Sequence, residues 1–359
     1  MSITHIKNTL LLLLGSLILT GCSKGGGGST VTPPKKVLHT YPVVNTNADV
    51  YIAGTTNGVA PYTQPLATYW KNGVSTVIAT GPKDASSDAN GIALNGSDIY
   101  IAGNTPGTND VAVATVWKNG VATQLTGSIG GASKALAITA VNGDIYIAGF
   151  ATASNGNLVT AFWKNGVATL FDGPTAAGSQ GNAIAVSGSD VYIAGFIFDF
   201  TKNYFQATIW KNGVATFLPG SSNNLGAIAN AIVINGPDVY VAGYNNNIAV
   251  LWKNGVATDL TDANSNAVAT GVAINGTDIY ISGNINEVAT YWKNGMPFQL
   301  SFSSAGQNVA NSIALNGSDV FVAGGFDLIN FNNLYWWNGQ PIKMDGNLAI
   351  VNSIAVVPK

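Results

Sequence analysis

The stretch Gly91-Ile92-Ala93-Leu94-Asn95-Gly96-Ser97-Asp98-Ile99-Tyr100-Ile101-Ala102-Gly103, with Ala114-Thr115-Val116-Trp117-Lys118-Asn119-Gly120 after it, decides how the chain folds. Short apolar runs rich in Ile, Val, Ala and Tyr are strand formers, and each is closed by a turn built on Gly or Asn. Asn-Gly suits a two-residue hairpin, because both central residues tolerate positive φ. The stretch therefore reads as strand, tight turn, strand, then a third strand ending in Trp, a second tight turn and a fourth strand.

Working outward, the second strand of this unit starts again at Asp49, Asp98, Asp144, Asp190, Asp238, Asp278 and Asp319, at spacings of 49, 46, 46, 48, 40 and 41 residues. The third strand ends at Trp70, Trp117, Trp163, Trp210, Trp252, Trp292 and Trp336; six are followed by Lys-Asn-Gly and the seventh by Trp337-Asn338-Gly339. A period of about 40–50 residues carrying four strands is the mark of a β-propeller blade. A parallel β-helix has shorter coils and lacks two hairpin turns per repeat. The expected fold is all-β, a seven-bladed propeller over residues 37–359. The last apolar strand, 353–357, lacks a partner after it, and the strand at 50–54 has only a short apolar pair, Val43-Val44, before it. Pairing 353–357 with 50–54 closes the ring and leaves no open edge.

Two families resemble these repeats. Ala183-Ile184-Ala185-Val186 through Tyr192-Ile193-Ala194-Gly195 is similar to the first half of a kelch repeat, and Ala-Thr-x-Trp-Lys-Asn-Gly resembles the bacterial extracellular repeats called HAF. Kelch repeats carry a double Gly where this chain has Ala-Gly, matched only at Gly324-Gly325, and place their Trp in the last strand. The resemblance implies a propeller with the Ile-Ala-Val strand innermost. It implies no particular activity, since propellers host unrelated functions.

Ahead of the repeats, Lys7 precedes an apolar run from Leu10 to Leu19, too short to span a bilayer but suited to a signal-peptide core. It ends in Leu19-Thr20-Gly21-Cys22, which resembles the lipobox of bacterial lipoproteins. Residues 1–21 are expected to be a cleaved leader, Cys22 the lipidated residue, and 22–36, with Gly25 to Gly28 and Pro33-Pro34, a flexible tether. Several acyl chains on one residue would anchor the chain to a membrane. Ser23, in place of Asp, favours the outer membrane; the lack of an acidic cluster in the tether favours a periplasm-facing body over a cell-surface one.

Charged residues make up 9% of the chain, there is no Arg, Glu287 is the single Glu, and the net charge is −2. Nothing here forms the basic stripe that nucleic acid requires. The one Cys is the expected lipid site, and His39 is the single His beyond the leader, so Ser-His-Asp, Cys-His and His-based metal sites lack their parts. No Asp-x-Asp-x-Asp-Gly calcium spacing occurs. The expectation is a monomer without metal or cofactor, and not an enzyme. An Asp pair working as in glycosidases is the catalytic alternative.

The seven Trp read as packing between blades, or alternatively as sugar-stacking platforms. The seven Asp read as turn residues that bond their own backbone. Departures from the repeat carry more information. Phe196, Phe198, Asp199, Phe200 and Tyr204, with Phe205, crowd five aromatics into ten residues. Similar in kind are Tyr244 with Asn245, and Phe326 with Asp327. Exposed, such residues would stack on and hydrogen-bond a glycan; packed down, they are local core. The two short turns of each blade share one face of the disc, so ligand is expected on the other face and at the channel mouth. Expected ligands are a glycan or an envelope protein.

Overall fold

The computed structural model describes residues 47–57, 64–78, 86–128, 130–171, 178–200, 203–220, 226–300, 309–327, 332–346 and 349–359. Cys22, the leader, the tether, His39 and Val43-Val44 lie outside the described residues.

Twenty-eight strands form seven antiparallel sheets of four. Six sheets are consecutive in sequence: 88–124 is blade 2, 133–171 blade 3, 178–217 blade 4, 227–259 blade 5, 267–299 blade 6 and 310–344 blade 7. Blade 1 joins the two ends of the chain. Its strand Ala349–Pro358 pairs with Ala48–Asn57, in the register Val50↔Val356, Tyr51↔Ala355, Ile52↔Ile354 and Ala53↔Ser353. The closing strand is thus the one that the unpaired apolar run required. The Ile-Ala-Val strands of neighbouring blades contact one another around the centre, so they are the innermost strands.

Within a blade, the first hairpin turns at two residues, Asn95↔Asp98, and the last at two residues, Lys118↔Val121. Asn119 and Gly120 have φ of 51 and 83, the mirror-image turn whose twist matches that of the strands. Both turns lie on one face of the disc, called here the turn face. The inner strands begin on the other.

Each of the seven repeated Trp is at most 1% exposed and packs across a blade junction. Trp117 lies among Tyr51, Ala53, Ala67 and Ile78 of blade 1, and Trp163 among Ala102, Ala114 and Leu125 of blade 2. In four of the seven the indole N–H completes the contact. Trp117 donates to the Ile78 carbonyl (3.1 Å), Trp163 to Thr126 (2.6 Å), Trp252 to Pro219 (2.8 Å) and Trp70 to Asp345 of blade 7 (2.9 Å). Ala faces Trp because a flat ring needs a flat counter-surface. The Gly that follows Tyr-Ile-Ala has its own reason: a Cβ on Gly103 would sit 1.9 Å from the Asp88 carbonyl oxygen.

Removing one such indole leaves a cavity and an orphaned carbonyl. Trp163→Ala is expected to destabilise the ring by about 3–5 kcal/mol, read as a lowered denaturant midpoint. A loss under about 1 kcal/mol would show that the junction does not depend on the indole.

Candidate functional site

The repeated polar residues form one device, present in six blades. Asp98 receives Lys118 Nζ on Oδ2 (2.8 Å) and Asn119 Nδ2 on Oδ1 (2.8 Å). Asn119 Oδ1 accepts from the Ile99 N–H (2.8 Å), and the Lys118 ammonium sits 5.4 Å from the centre of the Tyr100 ring. The same set recurs with Asp49, Asp144, Asp190, Asp238 and Asp278. It ties the two turns of a blade to each other on the turn face. In blade 7 Trp337 replaces the Lys, while Asn338 still donates to Asp319 (2.8 Å). For Asp98, Asp144, Asp190 and Asp238 the bond from Lys, and then that from Asn, holds the carboxyl below its ordinary value. For Asp49 and Asp278 the Asn bond is the larger cause. The Lys partners are raised, Lys118, Lys164, Lys211 and Lys253 first by the bond to Asp and then by that to Tyr, Lys71 and Lys293 first by the bond to Tyr and then by that to Asp.

The opposite face is different. Every inner strand carries a β-bulge at one position, occupied in blades 1 to 7 by Asn352, Asn90, Leu136, Asn182, Asn230, Thr270 and Asn311. A bulge frees one residue from the ladder and re-aims its side chain. Here six of the seven side chains reach the next blade. Asn90 Nδ2 donates to the Ala135 carbonyl (2.9 Å), Asn182 to Ala229 (3.0 Å) and Asn230 to Ala269 (2.9 Å). Thr270 donates to Ala310, Asn311 to Val351 (2.6 Å) and Asn352 to Ala89 (2.9 Å). The last two pass through the closing strand. Leu136 is the break in this collar. Sequence reasoning missed it, although its signal was there: Ala-Asn-Gly-Ile, Gly-Asn-Ala-Ile, Ala-Asn-Ala-Ile and Val-Asn-Ser-Ile recur in the innermost strands.

Two residues ahead of each bulge, nearer the mouth, the repeat dissolves. Blades 2, 3 and 4 place Asp88, Lys134 and Gln180 there; blades 5, 6, 7 and 1 place Ile228, Val268, Val309 and Ile350. Lys134 and Asp88 pair at 3.2 Å, away from the turn face. Gln180 is buried and donates to Asn182 Oδ1 (2.7 Å). Val309 is 38% and Ile350 62% exposed. The mouth is thus polar on one arc and aliphatic on the other.

The aromatic candidates fall into separate groups. Phe196 and Phe198 are buried, 4% and 7% exposed, and pack edge-on or tilted against Phe205 at 4.9 Å. They belong to the core of blade 4, the packed-down alternative of the two readings: their strand pairs with Tyr204–Lys211 and folds the rings inward. Phe200, edge-on to Phe198 at 5.1 Å, is 45% exposed. Asp199 is half-buried, and Tyr204 accepts from Gln206 Nε2 (3.0 Å). In blade 5, burial raises the Tyr244 hydroxyl above its ordinary value, and Asn245 is 8% exposed. Phe326 and Asp327 pair with Asn333 and Asn332 in blade 7, two blades beyond Tyr244.

No protein-family model matches the chain, and no curated protein matches it in sequence. Solved structures do. The periplasmic gluconolactonase PpgL of Pseudomonas aeruginosa is 10% identical, with 86% of this chain and 99% of that chain covered at a TM-score of 0.51. YCF48 bound to D1 peptide is 11% identical (82% and 96% covered, TM-score 0.47), and YjhT is 12% identical (75% and 97%, TM-score 0.42). The fold is that of a β-propeller.

One expectation is corrected here. A gluconolactonase is an enzyme, and it shares this architecture. The shortage of His and Cys, from which a non-catalytic chain was inferred, therefore does not exclude catalysis on this fold.

The clamps predict a pH profile. A carboxyl held low contributes stability above its unfolded value and loses it as pH falls through the folded one; a raised Lys contributes below its unfolded value and loses it as pH rises. The melting temperature is expected to hold between about pH 5 and pH 9 and to fall on either side. A decline beginning near pH 6 in thermal melts would show that other groups control it.

Proposed function

We propose that this chain is an envelope-anchored binding propeller that takes its ligand on the face where the inner strands begin, at the mouth of the ring. One observation carries the reading. Residues repeated around the ring are spent on the fold, as buried Trp, turn clamps and bulge bonds. The residues that differ from blade to blade, Asp88, Lys134, Gln180, Ile228, Val268, Val309 and Ile350, share one layer. A symmetric scaffold has no structural need for such differences, whereas an asymmetric ligand does. Rigid rings present binding residues in this way.

A glycan of the cell envelope is the ligand we favour. The polar arc supplies acceptors and donors for hydroxyls, Phe200 offers an exposed ring, and the low net charge places no strong field on the approach. An envelope protein is the second reading, favoured by the exposed aliphatic arc of Val309 and Ile350. We read the repeats as kelch-like and HAF-like extracellular repeats, and the body as a monomer tethered through lipid on Cys22 to the outer membrane, facing the periplasm. The Leu-Thr-Gly-Cys motif and the Gly-rich segment after it support that placement.

Two experiments test these statements. On a glycan array the full chain is expected to bind, Ile350→Lys to bind at least tenfold less, and a turn-face variant, Val121→Lys, to bind unchanged. Equal binding by all three would move the site off the mouth; no binding, with an envelope protein crosslinked at Ile350, would favour the second reading. In cell fractionation, the chain should pellet with membranes and incorporate labelled palmitate, and Cys22→Ser should do neither. Label retained by Cys22→Ser would overturn the anchor.

A further inference from the structure

The junction of blades 2 and 3 differs from the rest of the mouth in its hydrogen-bond inventory. Asp88 and Asn104 are direct register partners, so their side chains share a face of blade 2. That face meets blade 3, because Asp88 pairs with Lys134 and Asn90 bonds the Ala135 carbonyl. Asn104 is 2% exposed, and its Oδ1 is buried with no hydrogen-bond partner. The fold can satisfy this position. Asn284, at the same register in blade 6, has its Oδ1 taken by the Ala310 N–H of blade 7 (3.0 Å). At Asn104 the acceptor is left open, and a buried amide oxygen without a donor carries its desolvation cost uncompensated.

The neighbours lean the same way. Asn90 gives one amide N–H to Ala135 and keeps its acceptor oxygen, with two lone pairs, against one remaining N–H. Gln180, one blade further, gives one amide N–H to Asn182 and likewise keeps its oxygen against one remaining N–H. Against this surplus of lone pairs stands one cation, Lys134, with a side chain 33% exposed beside Asp88 at 29%. Because Lys134 already balances Asp88, a second cation is not called for. The missing partner is a neutral group that donates more than it accepts, and the aliphatic arc across the mouth suits the C–H surface of the same molecule.

We infer that the junction of blades 2 and 3 is a hydroxyl-binding subsite for a polyol such as a sugar ring, in which Asn104, Asn90 and Asp88 accept from ligand hydroxyls and Lys134 donates to a ligand oxygen. This rests on the mouth reading above and gives it an anchor point. No other blade pairs a buried open acceptor with an ion pair in this layer, among the described residues.

The test is calorimetric titration of the full chain with maltotriose, cellotriose and triacetylchitotriose. At least one sugar should bind, and Asn104→Leu and Asp88→Asn should each weaken it at least about tenfold, the size of one lost neutral hydrogen bond. Should Asn104→Leu fail to melt cooperatively, Asn104→Ser takes its place. Binding lost with Ile350→Lys but unchanged with Asn104 and Asp88 variants would overturn the subsite and leave the mouth reading standing. No binding of any of the three sugars would also overturn the subsite, leaving Asn104 to a water molecule.

Discussion

Everything in this molecule depends on covering each sheet from both sides. A four-stranded sheet of this size cannot stand alone in water, and a sheet in a ring is covered only by its two neighbours. The seven Trp meet that constraint by reaching across each junction onto a floor of Ala. The burial is apolar, but the indole N–H supplies direction: where it meets a carbonyl just past the neighbour's outer strand, it sets how far one blade slides on the next. The ring closes by the same rule, with the last strand completing the first sheet so that no blade is left a strand short.

From that constraint follows a division of labour between the two faces. The turn face is uniform: Asp, Tyr, Lys and Asn make the same clamp in six blades and bind the hairpins to each other. The opposite face begins with the bulge collar, in which one side chain per blade holds the next blade's main chain. Above the collar the blades cease to resemble one another. Because the fold is already secured below, that layer is free to differ, and it is where a ligand can be told apart from its mirror or its rotation.

Much of the fold was legible because the repeat is strict. The Asn-Gly turns, the Trp spacing and the surplus apolar strand at 353–357 each had one geometric solution. The candidate site was less so. Phe196 and Phe198 were conspicuous as letters, yet a hairpin turns both inward and leaves only Phe200 in the open. The collar Asn residues were inconspicuous, since an Asn within an apolar strand gives no sign of a bulge until its register partner is known. Catalysis was judged from an inventory of His and Cys, and a fold shared with a gluconolactonase shows why an inventory is a poor judge.

The sequence by itself determined the number of blades, the strand order within each and the strand that closes the ring, because strand period, turn chemistry and repeat length are local or additive properties. Only the tertiary structure decided which side chains meet across a junction. Asp88 and Lys134 are 46 residues apart in the chain, Asn352 and Ala89 are 263 apart, and Asn104 lacks a donor that its counterpart Asn284 possesses. Those facts depend on where the ring brings distant strands together, and no local pattern encodes that distance.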